Sequence, residues 1–254
     1  MSTKINQPLV IPRGSFQLYR SVIAPHFHSR AQLLYASEGS IRVQTHQNIW
    51  IVPPQYALWI PAFVEHSVTS LSQVRLSTVL VEEKASLSVG NTCFLIKMTN
   101  LLRELVLRLN LTNELHPDHY PYSEELEKSL QLLIFHEIQQ ATTFPIEIPW
   151  PKDIRLISIC EALLEHPHNV KDLNTWADMI GTSPRTLIRL FQKETGLPYR
   201  TWIQQMHLAL ALGKLSRGEP VSRIANSLGY KSTSAFSAMF KKHLGESPQS
   251  FGKN

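Results

Sequence analysis

Residues 170–251 carry one pattern twice, and that duplication restricts the fold more tightly than composition does. The first copy holds Ala177, Gly181, Leu187, Phe191 and Gly196; the second holds Ala225, Gly229, Phe236, Phe240 and Gly245. The offset is 48 residues at the alanine and first glycine, and 49 from the large apolar positions onward. A small residue on one helix lets the next pack closely across it, and a glycine four positions later lets the chain turn sharply out of that helix. Ser183 and Ser232 then stand where helix N-caps are expected, with Pro184 suited to a first helical position. The pattern reads as two helix-turn-helix units joined by a long helix over Tyr199–Ser216, each offering a short helix to a DNA major groove.

The outward positions of the two second helices differ. In the first copy they are Arg185, Thr186 and Arg189. The two arginines are one turn apart, so both guanidinium forks can enter one groove, where a bidentate contact to guanine is worth ~1–3 kcal/mol of discrimination. In the second copy the face carries Thr233, Ser234, Ala235, Ser237 and Ala238, short side chains suited to backbone bonds or thymine-methyl contact. Direct base readout is therefore expected mainly from the first copy, with Lys193, Lys231, Lys241 and Lys242 as candidate phosphate neutralisers. A rigid central helix of 18 residues spans ~27 Å. That suits two consecutive major-groove faces with some bending of the duplex.

Charge follows the same division. Residues 151–254 carry 14 Lys and Arg against 8 Asp and Glu, whereas residues 1–150 carry 11 against 12. The basic excess lies wholly in the half with the repeat, as a phosphate-binding surface requires. Cys93 and Cys160 are far apart and belong to no CxxC pair, which disfavours both a cysteine zinc site and a disulfide scaffold. No uncharged apolar run approaches ~20 residues and no apolar segment follows the polar N-terminus, so a cytoplasmic protein without membrane association is expected.

The first half reads differently. Ile41, Val43 and Thr45 alternate with Arg42, Gln44 and His46, a two-residue period for a strand with one buried face. Gln32–Tyr35, Trp50–Val52, Ala57–Ile60 and Arg75–Val81 read as further strands, punctuated by Pro53, Pro54 and Pro61. So many short strands imply a barrel or sandwich. Helical spacing then predicts helices over residues 94–110 and 123–140, which either cover the sheet or pair with a second subunit. Pro145, Pro149 and Pro151 mark a linker. The expected scheme is a sensor domain over 1–90, accessory and dimerising helices over 91–144, a linker over 145–152 and a DNA-binding domain over 153–254.

The segment Ile224-Ala225-Asn226-Ser227-Leu228-Gly229-Tyr230, followed by Ser232, Phe236, Phe240-Lys241-Lys242, Gly245 and Ser247-Pro248, closely resembles the signature of the AraC/XylS family of bacterial transcription regulators. The resemblance implies two helix-turn-helix subdomains, with Arg185 and Arg189 at the base-reading positions of the first. Ala238 departs from the arginine common in the second, which weakens any guanine contact there.

A second resemblance lies near the N-terminus. His26-x-His28-x3-Gln32-x6-Gly39, then Pro61-x4-His66, resembles the two motifs of the cupin barrel, in which matching positions supply three histidines and a glutamate to a metal. On a strand, His26 and His28 project from one face, as shared ligation requires. Imidazoles suit Zn, Ni, Fe or Cu, of which Ni or Zn is the expected cofactor, while a neutral Gln32 is a weaker fourth ligand than glutamate. Phe63 also stands where the cupin pattern has glycine. Tyr35, Trp50, Tyr56 and Trp59 are candidate aromatic walls for an organic effector, and three readings stay open: a metal site, an organic pocket and a purely structural barrel. The string from Gln32 through Trp50-Ile51-Val52-Pro53-Pro54 to Trp59-Ile60-Pro61 resembles a regulator subgroup in which a cupin precedes the paired helix units. Some members of that subgroup respond to nickel and others to organic compounds.

The expected fold is thus α+β in two domains, an N-terminal cupin-like β-barrel with accessory helices and a C-terminal all-α domain with two helix-turn-helix subdomains. The expected role is effector-controlled transcription regulation, not catalysis. Its expected partners are double-stranded DNA, a small-molecule or metal effector, RNA polymerase and a second copy of the chain. The competing readings are a cupin-type metal enzyme joined to a helical interaction domain, and a helical module whose repeat binds protein instead of DNA.

Overall fold

The computed structural model describes residues 9–114, 124–144 and 146–251. Ser123 and Pro145, expected at the start of a helix and of the linker, lie outside them. By contact density the chain divides into two units, one of Met1–Thr45 with Ile51–Pro145 and one of His46–Trp50 with Ile146–Asn254.

In the first unit a six-stranded antiparallel sheet is built from β1 (Val10–Gln17), β8 (Val74–Val81), β3 (Ala31–Glu38), β6 (Tyr56–Ile60), β9 (Phe94–Lys97) and β10 (Thr143–Phe144), in that order across the sheet. Alternation decides its faces. Leu33 and Tyr35 on β3, Ala57 and Trp59 on β6, and Val79 and Val81 on β8 enter one apolar cluster. That cluster also takes Leu102, Leu105, Val106 and Leu109 of helix α2 (Asn100–Glu114), and Ile134 and Ile138 of α3 (Glu124–Gln140). Both helices are pinned to the sheet by side-chain amides. Asn110 Nδ2 donates to the Thr78 carbonyl at 3.3 Å, and Gln131 Oε1 accepts from the Val10 amide at 3.2 Å. A short helix α1 (Glu83–Ser86), capped by Glu82, follows β8.

A second group of strands holds β2 (Val22–His26), β7 (His66–Ser70) and β4 (Ile41–Thr45) side by side. Its register pairs His26 with His66 and Thr45 with His66. The five strands expected from alternation are present, with β5 (Asn48–Val52) among them. Residues 94–97 are a correction: they were expected in a helix and instead form β9. Phe94-Leu95-Ile96 fills the place between β6 and β10, and α2 begins only after Thr99, whose hydroxyl accepts from the Leu102 amide at 3.0 Å. An apolar run of this length is ambiguous between strand and helix, and the open sheet edge decided it.

The second unit is helical apart from one short pairing. Residues 146–152, expected as linker, include β11 (Ile148–Pro149), which pairs with Asn48 and Ile49, and the buried side chains of Ile146, Ile148 and Trp150. Trp202 Nε1 donates to the Pro149 carbonyl at 2.7 Å. The helices are α4 (Ile154–Glu165), α5 (Leu173–Met179), α6 (Pro184–Thr195), α7 (Tyr199–Ser216), α8 (Val221–Ser227), α9 (Thr233–Leu244) and α10 (Pro248–Phe251). No helix among the described residues is long and apolar enough to cross a membrane.

Candidate nucleic-acid interface and metal site

The first helix pair, α5 and α6, forms for local reasons legible residue by residue. Asp172 caps α5, accepting from the Thr175 amide at 2.9 Å, and Ala177 is fully buried where α6 crosses. Gly181 takes φ +66°, the left-handed conformation that ends the helix. The Ser183 hydroxyl then accepts from the Thr186 amide at 3.2 Å, Pro184 occupies the first turn, and Gly196 closes α6 at φ +72°. Leu187 and Phe191 are buried, with Phe191 edge-on to Tyr199 and Trp202, so Arg185, Arg189 and Lys193 are left exposed. Thr186 is half-buried, its hydroxyl 2.9 Å from that of Ser183.

The second pair, α8 and α9, repeats these devices. Ala225 is buried, Gly229 has φ +78°, Ser232 Oγ accepts from the Ala235 amide at 3.1 Å, and Gly245 closes α9 at φ +80°. Phe236, Met239 and Phe240 face inward. Ser234, Ala235 and Ala238 are exposed with Lys231, Lys241 and Lys242, while Thr233 and Ser237 are half-buried.

What sequence reasoning missed is the connection between the pairs. His207, buried in the middle of α7, lies 3.1 Å from the Pro167 carbonyl through Nε2 and 3.3 Å from the Tyr230 hydroxyl through Nδ1. A carbonyl only accepts, so Nε2 carries the proton and Nδ1 accepts from Tyr230. Burial depresses the His207 pKa and pushes Tyr230 up to about 12. Pro167 belongs to the loop before α5 and Tyr230 to the turn before α9, so one imidazole holds both pairs at once. A lone histidine among apolar helix residues gives no sequence signal for this role. The caps Asp153 and Asp172 were legible in principle, as acids directly before apolar helical runs.

In the first unit, His26, His28 and His66 come together, with one ligand nitrogen of each within 4.8 Å of the others. The cross-strand pairing of His26 and His66 places two of them. The third stands in the loop after β2, where its carbonyl accepts from the Phe63 amide at 2.7 Å. Phe63 itself has φ +62°, which explains why a glycine suits that position. His26 and His66 donate Nδ1–H to the carbonyls of Ala24 and Val64 at 2.8 and 2.9 Å, which fixes their tautomers and leaves each Nε2 lone pair for a ligand. Nε2 of His28 and of His66 is buried with no hydrogen-bond partner among the described residues. Burial, then Arg13 and the other two histidines, pulls His28 down to about 4; burial also lowers His66. Both shifts favour the neutral imidazole, the form a metal requires, and the donor set fits a divalent transition metal.

Gln32 is buried on β3, its Nε2 donating to Thr78 Oγ1 at 3.3 Å and its Oε1 without a hydrogen-bond partner among the described residues. It lies on the face of β3 opposite to Leu33 and Tyr35, hence away from α2 and α3. The aromatic residues expected to wall a pocket are all buried. Tyr35 and Trp59 sit in the cluster under α2 and α3, with Trp59 Nε1 donating to the Gly90 carbonyl at 3.1 Å. Tyr56 lies on the other face of β6 against Phe144, and Trp50 is buried on β5.

The family described as "Helix-turn-helix domain" matches residues 176–254. The chain is 36% identical to the HTH-type transcriptional regulator NimR of Escherichia coli over 224 residues, 88% of this chain and 80% of that one. It is 30% identical to the HTH-type transcriptional regulator RipA of Corynebacterium glutamicum over 41% of this chain and 31% of that one. To the arabinose operon regulatory protein of Escherichia coli it is 27% identical, over 40% of this chain and 35% of the other. All three relatives are regulators by name. The match to NimR spans both halves, whereas the other two are confined to less than half of this chain.

Proposed function

We propose, from the premise that this chain belongs to the AraC/XylS family of helix-turn-helix transcriptional regulators, that it binds duplex DNA sequence-specifically under the control of a ligand held by its N-terminal half. The observation carrying the reading is Arg185 and Arg189, exposed one turn apart on a helix capped at both ends and anchored by Leu187 and Phe191. A rigid, convergent arginine pair is what guanine readout in a major groove needs. In this reading α8 and α9 are the second helix-turn-helix unit. Thr233, Ser234 and Ser237 make close backbone contact, and Lys193, Lys231, Lys241 and Lys242 meet phosphates.

The N-terminal strands act as a cupin-like barrel whose histidines His26, His28 and His66, with Gln32 in the glutamate position, hold nickel, zinc or a small molecule. A bound metal would supply a Lewis-acid centre tying β2 to β7; the histidines supply neutral nitrogens already oriented by backbone carbonyls. The working division is residues 1–90 as sensor, 91–144 as accessory and dimerising helices, 145–152 as connector and 153–254 as DNA-binding domain. Exposed Leu101, Leu126 and Leu133 on α2 and α3 favour pairing with a second copy. Cytoplasmic residence and contact with RNA polymerase complete the reading.

Selection of bound fragments from random and genomic DNA tests it. A single enriched operator motif is expected, with affinity lost in an Arg185→Ala/Arg189→Ala variant. Equal binding of that variant to the enriched fragment would overturn the readout assignment.

A further inference from the structure

Between the start of α4 and the flank of α6 lies a cleft lined by Arg155, Thr186, Arg189, Leu190 and Lys193. Three of these five residues are cations, and none is acidic. On α6, at ~100° per residue, Arg185 and Arg189 point outward within ~40° of each other, while Lys193 and Thr186 lie ~80–100° round from Arg185. The cleft is therefore the shoulder of the same face that carries the proposed base readers. In a groove-bound helix the shoulder is where a backbone strand runs.

Of two acids close by in the chain, one is held by backbone amides and the other holds Arg155 itself. Glu194, next to Lys193, accepts from the backbone amides of Lys152 and Asp153 at 3.0 and 3.2 Å. This carboxylate also ties the first turn of α4 to the end of α6, fixing where Arg155 starts. Asp153 caps α4 and grips Arg155 from one side, accepting from Nε at 3.0 Å and Nη2 at 2.7 Å. A guanidinium has five N–H donors, so three remain for a further anion. The cations arrive from two helices cross-linked to each other, which limits the ordering an incoming anion must impose.

We infer that this cleft seats a DNA backbone phosphate, and that Arg155, which lies outside both helix pairs, is a phosphate-contacting residue beside Arg189 and Lys193. The inference rests on the reading that α6 enters the groove. Arg155 then fixes the register of the first unit on the duplex without reading a base.

The test uses the full chain and two duplexes, the selected operator and a scrambled sequence of equal length, titrated over a range of salt. For Arg155→Ala the slope of log affinity against log salt should shrink by about one, with equal fold losses on both duplexes. Arg155→Lys should retain the slope, and Arg185→Ala should weaken the operator far more than the scrambled duplex. If the parent binds with a salt-dependent slope that Arg155→Ala leaves intact, the cleft assignment fails while the α6 reading stands. If the parent shows no salt-dependent binding to either duplex, both fail together.

Discussion

The backbone of Gly229 lies against that of His168: a Cβ placed on Gly229 would come within 2.8 Å of the His168 carbonyl oxygen. The turn of the second helix pair and the loop leading into the first are thus in backbone contact, beside the His207 bonds to Pro167 and Tyr230. Gly181, the matching residue of the first pair, has φ +66° but nothing within 4 Å of its would-be Cβ. Gly181→Ala should cost only the left-handed penalty of ~1–2 kcal/mol. Gly229→Ala adds a clash with backbone that cannot rotate away, bringing the loss to roughly 2–4 kcal/mol. Urea unfolding of both variants checks the ranking; equal losses would contradict the contact.

His207 makes stability depend on pH. Its folded pKa is depressed by burial, and the Tyr230 hydroxyl and the Pro167 carbonyl face its ring nitrogens with hydrogen bonds. Above the ordinary value of 6.5 it is neutral in both states, so its hydrogen bonds contribute in full. As pH falls below 6.5 the unfolded chain takes up a proton that the folded chain resists, and stability declines. His207→Gln keeps a donor for Pro167 but removes the titration, so its unfolding midpoint should vary less with pH than the parent's. His207→Leu leaves both partners unpaired and should lose ~1–3 kcal/mol.

Ser183 and Ser232 cap the two outward helices in the same way. Ser183→Ala and Ser232→Ala should each destabilise by ~1 kcal/mol, and Ser→Asp at either position should restore most of it. Ser183→Ala also frees the Thr186 hydroxyl, so a larger loss of operator affinity is expected from it than from Ser232→Ala. Thermal melts and operator titrations, run side by side, separate the two effects.

Metal binding at the histidine cluster gives an independent check on the N-terminal half. Calorimetric titration of metal-free protein with Ni or Zn should show one site, abolished in His26→Ala and in His66→Ala. Gln32→Glu adds the anionic ligand that the set lacks and should tighten binding. No heat with the parent and no metal retained on purification would refute the site.

Much of the second unit was legible because its determinants are local. Ala177, Gly181, Ser183, Pro184 and Gly196 each dictate conformation within a few residues, and helical spacing then fixes which side Leu187 and Phe191 bury. The histidine cluster was half legible: spacing pointed to His26 and His28, and motif resemblance added His66, but only strand pairing brought the last beside the first. Phe94-Leu95-Ile96 was misread since nothing in the run itself tells whether a sheet edge waits for it. The placement of Tyr35 and Trp59 was illegible for the same reason: they are committed to the helix-covered face by alternation against strands far away in the chain.

Local stereochemistry wrote the helices, their caps and the exposed arginines directly into the chain, since caps, turns and periodicity act over a handful of residues. Which distant groups meet was settled only on folding. Arg155 beside Lys193, Glu194 on the backbone of Asp153, and His207 between Pro167 and Tyr230 depend on how helices pack, and packing is decided by the shapes of buried surfaces summed over the whole domain.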